Sequence, residues 1–381
     1  PDAGPDAGDP SCPLERWPTA VSIVTGAVLE PEISLATSET GELGHVHVGM
    51  IANGRARIVT RDLDVLEAPR DPPSDDLGTR WSLIADRSIA LHRDRDAGDV
   101  HVLVLHDGID GDDGVRASVG SLSAGAASST TAPTRVMGPA THLTLGRAAI
   151  LGGTEGLPRR YVWRNRIAVG NTVLASVAED VASDYHEVPG VSHEDLAEVR
   201  GSSGRWTLAE SPSDGLLLWD GSAAPPEPVA ASGRASRIGF AYEGGGAYLL
   251  GYHDGAVMHV RRAACSEACV LGTESTYPIG APPGAHVSLE RLAGYVALGY
   301  ANPARVELHM QLLTPALEQV RGTETPLSVE VRVGRGVVDV AVARVRHRGD
   351  EHLVFAYLAG PSGSAPDEVY LTGARFPSSC P

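Results

Sequence analysis

A short reversal between two apolar runs recurs along this sequence at nearly constant spacing, and that spacing constrains the fold more than any other feature. The clearest copy lies in Arg237–Arg262, RIGFAYEGGGAYLLGYHDGAVMHVRR. It reads as three short strands, Arg237–Tyr242, Ala247–Tyr252 and Ala256–Arg261, with Asp254-Gly255 between the second and third. Asp-Gly between apolar runs favours a type I′ hairpin, because both central residues of that turn take positive φ. The same second-to-third-strand turn is read at Asn53-Gly54, Asp107-Gly108, Asn165, Ser213-Asp214-Gly215, Asn302-Pro303 and Ala359-Gly360. The mean interval between copies is about 51 residues, a period typical of repeat architectures.

Short strands repeating every ~50 residues are the mark of an all-β ring of four-stranded blades. By period and strand pattern, residues 14–381 resemble the seven-bladed β-propellers of secreted bacterial proteins. The strands carry apolar residues on both faces, as in Val102-Leu103-Val104-Leu105 and Tyr248-Leu249-Leu250. A sheet with one wet face would alternate, whereas blades stacked around a ring bury both faces. The alternative is a row of tandem β-sandwich domains, which accommodates the strands but not the uniform period. No family signature accompanies the pattern: Trp219-Asp220 is solitary, and Ser213-Asp214-Gly215…Trp219 lacks the spacing of an Asp box. Ser192–Arg200 has an N-cap serine, early acids and Gly201 as a stop, which predicts one or two helical turns.

The last unit ends one strand early. Glu368–Phe376 is its third strand, and only PSSCP follows. The missing outer strand is expected from Trp17–Thr25 at the other end of the chain, where Pro18 is tolerated on a sheet edge. That closure brings Cys12 near Cys380. With Cys265 and Cys269 flanking Ser-Glu-Ala, the four cysteines read as two disulfides, Cys12–Cys380 and Cys265–Cys269, in an oxidising compartment. A zinc site of four thiolates is the alternative, although structural zinc favours a two-residue gap within each cysteine pair.

Residues 1–13 open on PDAGPDAGDP, too polar and proline-rich to fold, and are expected to be a tether. The tract resembles the spacer of secreted, periplasmic or lipid-anchored envelope proteins, which implies a lipid anchor upstream of residue 1. No apolar run approaches the ~20 residues of a membrane helix. A net charge of −17 argues against nucleic acid and anionic lipid as partners and leaves cations or basic partners open.

The connector between the first and second units carries Asp71, Asp75 and Asp76, and the hairpin of the second unit carries Asp107, Asp110, Asp112 and Asp113. In a propeller both would open on the same face, together with His253 and Asp254. Clustered carboxylates suit Ca2+, so Asp107, Asp110, Asp112 and Asp113 form a candidate Ca2+ site, and no other cofactor is expected. The loop departs from an EF-hand in both registers, and a solvated acidic loop is the competing reading. His47 and His101 each lie six residues before their turn and are expected at equivalent positions. His352 lies seven before its turn and is expected on the other sheet face. Structural, buried histidines outweigh a shared metal, since equivalent positions in stacked sheets are about 10 Å apart.

No catalytic constellation emerges. The chain lacks a nucleophile elbow, and His186-Glu187 and His193-Glu194 have no second histidine at metalloprotease spacing. The leading expectation is a non-catalytic extracellular binding or scaffolding module with a protein or glycan partner of the cell envelope. A glycan hydrolase or lyase using loop carboxylates is the enzymatic alternative. A lectin-like glycan binder is the third, motivated by Tyr248, Tyr252, Tyr295 and Tyr300, for which core packing is the competing role.

Overall fold

The computed structural model describes residues 15–17, 20–27, 29–64, 86–93, 99–107, 114–122, 134–140, 144–151, 160–168, 171–178, 181–189, 196–200, 205–211, 215–219, 227–228, 236–244, 247–254, 257–265, 269–279, 287–292, 294–302, 307–320, 325–328, 335–361 and 364–376. Strands dominate them.

Two short strands, β1 (Glu15–Arg16) and β2 (Val21–Thr25), lead into β3 (Leu29–Thr40), β4 (Leu43–Ala52) and β5 (Arg55–Asp62), which form the first sheet. The second sheet holds β6 (Asp86–Arg93), β7 (Val100–Asp107), β8 (Gly114–Leu122) and β9 (Thr134–Ala140). The third holds β10 (Thr144–Leu151), β11 (Arg160–Ala168), β12 (Asn171–Ala178) and β13 (Val181–Pro189). In the fourth are β14 (Leu196–Arg200), β15 (Arg205–Ser211), β16 (Gly215–Trp219) and β17 (Glu227–Pro228). The fifth comprises β18 (Ser236–Gly244), β19 (Ala247–Asp254), β20 (Val257–Cys265) and β21 (Cys269–Pro278). The sixth comprises β22 (Ser288–Leu292), β23 (Tyr295–Asn302), β24 (Glu307–Leu313) and β25 (Thr325–Ser328). The seventh is built on β26 (Arg335–His347), β27 (Asp350–Pro361) and β28 (Glu368–Phe376).

Every sheet is an antiparallel meander, and the first strand of each touches the first strand of the next. β26 returns to β3, which closes the circle. The architecture is a β-propeller. Both chain ends share its seventh sheet: β1 and β2 pair antiparallel with β28, in the registers Glu15↔Arg375 and Val21↔Leu371. Between them the Trp17 amide donates to the Gly373 carbonyl at 3.0 Å, with the indole buried. The closing strand is therefore the expected one, split in two; Pro18 lies outside the described residues.

β7, β15, β19 and β23 end at Asp107, Ser211, Asp254 and Asn302, beside the turns expected there, whose remaining residues Gly108, Ser213, Asp214, Gly255 and Pro303 lie outside the described ones. Asn53 and Gly54 join β4 to β5 with φ of 52° and 68°, the left-handed pair of a type I′ turn. Three expectations need correction. Asn165 is not a turn but sits inside β11, opposite Val173, and the chain reverses between Ala168 and Asn171. Ala359 and Gly360 belong to β27, whose hairpin comes after Pro361. Leu196–Arg200 is strand rather than helix, paired residue by residue with β15. Two turns of isolated helix are below the length at which nucleation is recovered, while a neighbouring strand offers a complete ladder.

The core is the space between blades. Val46, Val48 and Met50 of the first sheet pack with Val354, Ala356 and Leu358 of the seventh. On the opposite face of the first sheet, Ile51 and Ile58 meet Leu91, Val102 and Val104 of the second. The sheets approach closely where the second strand carries glycine: a Cβ on Gly299 would lie 2.6 Å from Phe355 Cε1 of the next blade. Inner strands have one edge with no neighbouring strand, and side chains of the preceding blade serve some of its amides. Ser34 Oγ accepts from Leu91 N at 2.9 Å, Ser288 Oγ from Val342 N at 3.0 Å, and fully buried Asp339 Oδ2 from Ile33 N at 3.0 Å.

Candidate functional site

Of the acidic loop residues singled out in the sequence, Asp107 is the last residue of β7. Asp71, Asp75, Asp76, Asp110, Asp112 and Asp113 lie outside the described residues. β5 ends beside the β26–β27 turn, where Asp64 meets His347 and Arg348, so the chain leaves β5 at the ends of the strands opposite the β7–β8 hairpin rather than on the same face as expected. His253 is buried near the end of β19, with Asp254 beside it opposite Val257. Cys265 and Cys269 are direct register partners at the ends of β20 and β21. Cys12 and Cys380 are outside the described residues, but Glu15 and Arg375, close to them in sequence, are paired.

The histidines occupy structural positions. His47 is buried between Ser38 Oγ, 2.7 Å from Nε2, and Thr60 Oγ1, 2.9 Å from Nδ1. Burial, reinforced by His45, depresses its pKa to about 4, so the ring is neutral near neutral pH. His101 and His352 are buried too. His352 does not flip to the other face. It lies on the side of β27 that meets the following sheet, as His47 does on β4. The expected flip was counted from Ala359-Gly360, which is not the turn.

The tyrosines reveal a repeat that strand counting missed. Tyr252 of β19 stacks on His259 of β20, with centroids 4.8 Å apart and planes at 4°. One blade on, Tyr300 stacks on His309 at 5.0 Å, and in the next Tyr357 stacks on Tyr370 at 5.2 Å. Each pair is a direct cross-strand partner between second and third strands. Such pairs stabilise a sheet by roughly 0.2–1 kcal/mol each. Tyr248, Tyr252 and Tyr300 are buried and Tyr295 is half-buried, which assigns the first three to packing. The legible signal was Gly251-Tyr252, Gly299-Tyr300 and Ala356-Tyr357, a small residue then tyrosine near the end of three successive second strands.

The fifth blade adds polar chemistry to this stack. Glu274 on the outer strand accepts from Tyr252 Oη at 2.6 Å and from His259 Nδ1 at 2.9 Å, and Arg261 Nη1 lies 3.8 Å away. Its side chain is 30% exposed, so the carboxylate is half-open to solvent. Burial alone would raise its pKa; the bonds from Tyr252 and His259, with the charge of Arg261, outweigh that and lower it. The Tyr252 hydroxyl is pushed upward by burial and by the same carboxylate. The seventh blade repeats the theme with different residues: Tyr370 Oη donates to Glu368 at 2.7 Å, and Arg335 bridges Glu368 and Asp367. Among the described residues, no group of three or more histidine, cysteine, aspartate or glutamate side chains is arranged to hold a metal ion. The fifth-blade group can hydrogen-bond a polar ligand through Glu274 and Arg261, while its His259 ring is covered by Tyr252.

No family model matches the chain, and no curated protein does. Among solved structures, the chain is similar to a mutant of the Aleuria aurantia lectin in complex with alpha-methyl-L-fucoside, at 13% identity and a TM-score of 0.44, over 84% of this chain and 99% of that one. It is also similar to the AfRom2 CNH domain, at 10% identity and a TM-score of 0.47, over 93% and 98% of the two chains. The propeller assignment rests on the ring of sheets described above.

Proposed function

We propose that this protein is a non-catalytic extracellular binding or scaffolding module, tethered at the cell envelope by residues 1–13. It acts through the face onto which the second-to-third-strand hairpins and the connectors between blades open. The observation that supports this reading is where the polar side chains are committed. His47 is held by Ser38 and Thr60, Asp339 receives a backbone amide of another blade, and Glu274 is engaged by Tyr252 and His259. These groups build the ring. The loop acids Asp71, Asp75, Asp76, Asp107, Asp110, Asp112 and Asp113 are left to face a basic partner or to hold Ca2+, in keeping with the net charge of −17.

A second reading is a lectin-like glycan binder. It is favoured by the half-open Glu274 carboxylate beside Arg261, a donor–acceptor pair suited to sugar hydroxyls.

The test is capture from native envelope extract on immobilised protein, alongside a glycan array with turnover assays. A variant carrying Asn at Asp71, Asp75, Asp76, Asp110, Asp112 and Asp113 loses the captured partner. Glu42→Gln, at the opposite ends of the strands, keeps it. Empty capture by the wild type, or equal capture by the loop variant, overturns the reading. Binding on the array that depends on Glu274 selects the lectin, and turnover that depends on the loop acids selects a glycan hydrolase or lyase.

A further inference from the structure

The seam where the seventh sheet meets the first contains a histidine whose two ring nitrogens both take part in the junction. Gly44 N donates to His347 Nδ1 at 3.1 Å, and His347 Nε2 lies 2.8 Å from Asp64 Oδ1. A backbone amide can only donate, so Nδ1 carries the lone pair and Nε2 carries the hydrogen. The tautomer follows from the geometry. Around this ring the two sheets are joined by four more bonds. Thr37 Oγ1 donates to the Arg344 carbonyl at 2.6 Å, and Arg346 N to Glu39 Oε1 at 3.0 Å. Arg348 N donates to the Glu42 carbonyl at 2.7 Å, and Arg348 Nη2 to Asp64 Oδ2 at 2.8 Å.

We propose that this seam is an acid-sensitive latch: protonation of His347 at Nδ1 removes the acceptor of Gly44 and parts the β3–β4 hairpin from β26. Asp64 accepts from Nε2 in both charge states, so what protonation changes is Nδ1. There an N–H would meet an N–H. The hairpin has no room to slide sideways, since a Cβ on Gly44 would already lie 2.7 Å from Val345 Cγ2 and 2.9 Å from the Arg346 carbonyl. The strain is relieved by separation. Other charged groups surround the ring. Asp64 and Arg348 share one ion pair, and His352 stands edge-on to His347 with centroids 5.7 Å apart. Behind His352, Arg375 is paired with Asp350 at 2.9 Å. Arg61 is buried two residues beyond Val59, on the face of β5 that meets the seventh sheet. The charged and titratable neighbours of His347 are thus Asp64, Arg348, Arg61 and His352, and burial holds the last neutral down to about pH 4.

Hydrogen exchange of the intact protein tests the latch. Protection is measured at pH 7 and pH 4.5, corrected for intrinsic exchange, in peptides covering 41–48 and, as reference, 295–302. Relative to the reference, protection at 41–48 falls about tenfold on acidification, the loss of roughly one hydrogen bond's worth of local stability. In His347→Asn, whose side-chain oxygen can take the place of Nδ1 without titrating, the drop is abolished. Equal protection of the wild type at both pH values, or an undiminished drop in His347→Asn, overturns the proposal. Histidine-selective 15N spectra of the wild type give a second readout that needs no variant: His347 shows the Nε2–H tautomer at pH 7 and gains a proton as exchange at 41–48 rises. An Nδ1–H tautomer at pH 7, or protonation without a change in exchange, overturns it equally.

Discussion

Replacing Gly299 by alanine puts a methyl carbon where the next blade already has one. The added Cβ would stand 2.6 Å from Phe355 Cε1 and 3.3 Å from Cδ1. Ordinary carbon contacts are about 3.5–4.0 Å, so ring and methyl must separate by roughly 1 Å. Phe355 is fully buried among Ala297, Met310, Leu353 and Tyr357, and Gly299 lies in mid-strand opposite Ser288. The displacement must therefore be carried by side chains of two packed sheets. Overpacking of this kind costs about 1–3 kcal/mol, against which the stiffer unfolded chain returns about 0.4–1 kcal/mol. Gly299→Ala is expected to destabilise by about 1–2 kcal/mol and to lower the midpoint of thermal unfolding by a few degrees. Phe355→Leu, which trims the clashing edge, destabilises the wild type but costs at least about 1 kcal/mol less in the Gly299→Ala background, a coupling that a double-mutant cycle reads directly. A Gly299→Ala protein that melts at or above the wild type would refute the reasoning. So would identical costs of Phe355→Leu in the two backgrounds.

Three further outcomes are expected. Asp339→Ala deprives the Ile33 amide of its acceptor in a fully buried site and lowers stability by about 1–3 kcal/mol in denaturant titration, whereas Ser288→Ala, which serves one neutral amide, costs about 1 kcal/mol. His47 has a folded pKa of about 4 against 6.5 unfolded, so the unfolded chain binds the extra proton between those values. Its neutral-state stability is complete above pH 6.5 and falls by about 3 kcal/mol towards pH 4; urea titrations at pH 7 and 4.5 show a smaller acid loss in His47→Gln than in the wild type. Peptide mapping without reduction yields Cys265 linked to Cys269 and Cys12 linked to Cys380, while four free thiols with bound zinc would establish the alternative.

How much could be read beforehand depended on whether the signal was local. Asn53-Gly54 announces its hairpin because few dipeptides accept two left-handed residues, whereas Asp254 ends β19 as a paired strand residue opposite Val257. Glu368–Phe376 and Val21–Thr25 were legible as the joined ends of one sheet because the last unit lacked a strand. Asn165 misled because asparagine is compatible with a turn without requiring one, and β11 runs through it. Leu196–Arg200 misled because helix caps are weak beside a ladder offered by a neighbouring strand. The site was harder. Partners such as Ile33 and Asp339, or Gly44 and His347, are some three hundred residues apart and meet only because the ring closes. The aromatic stacks were within reach, since Tyr252, Tyr300 and Tyr357 each follow a small residue, but their partners His259, His309 and Tyr370 sit at unequal distances beyond hairpins of different length.

The strand that finishes the seventh sheet is made before the six sheets that precede that one, and β28, which it edges, after them. During synthesis Val21–Thr25 has no place to go until six blades exist and Glu368–Phe376 has emerged. The circle therefore cannot be completed until all seven sheets have been made, and the seam between β3 and β26 joins the earliest and the latest of them.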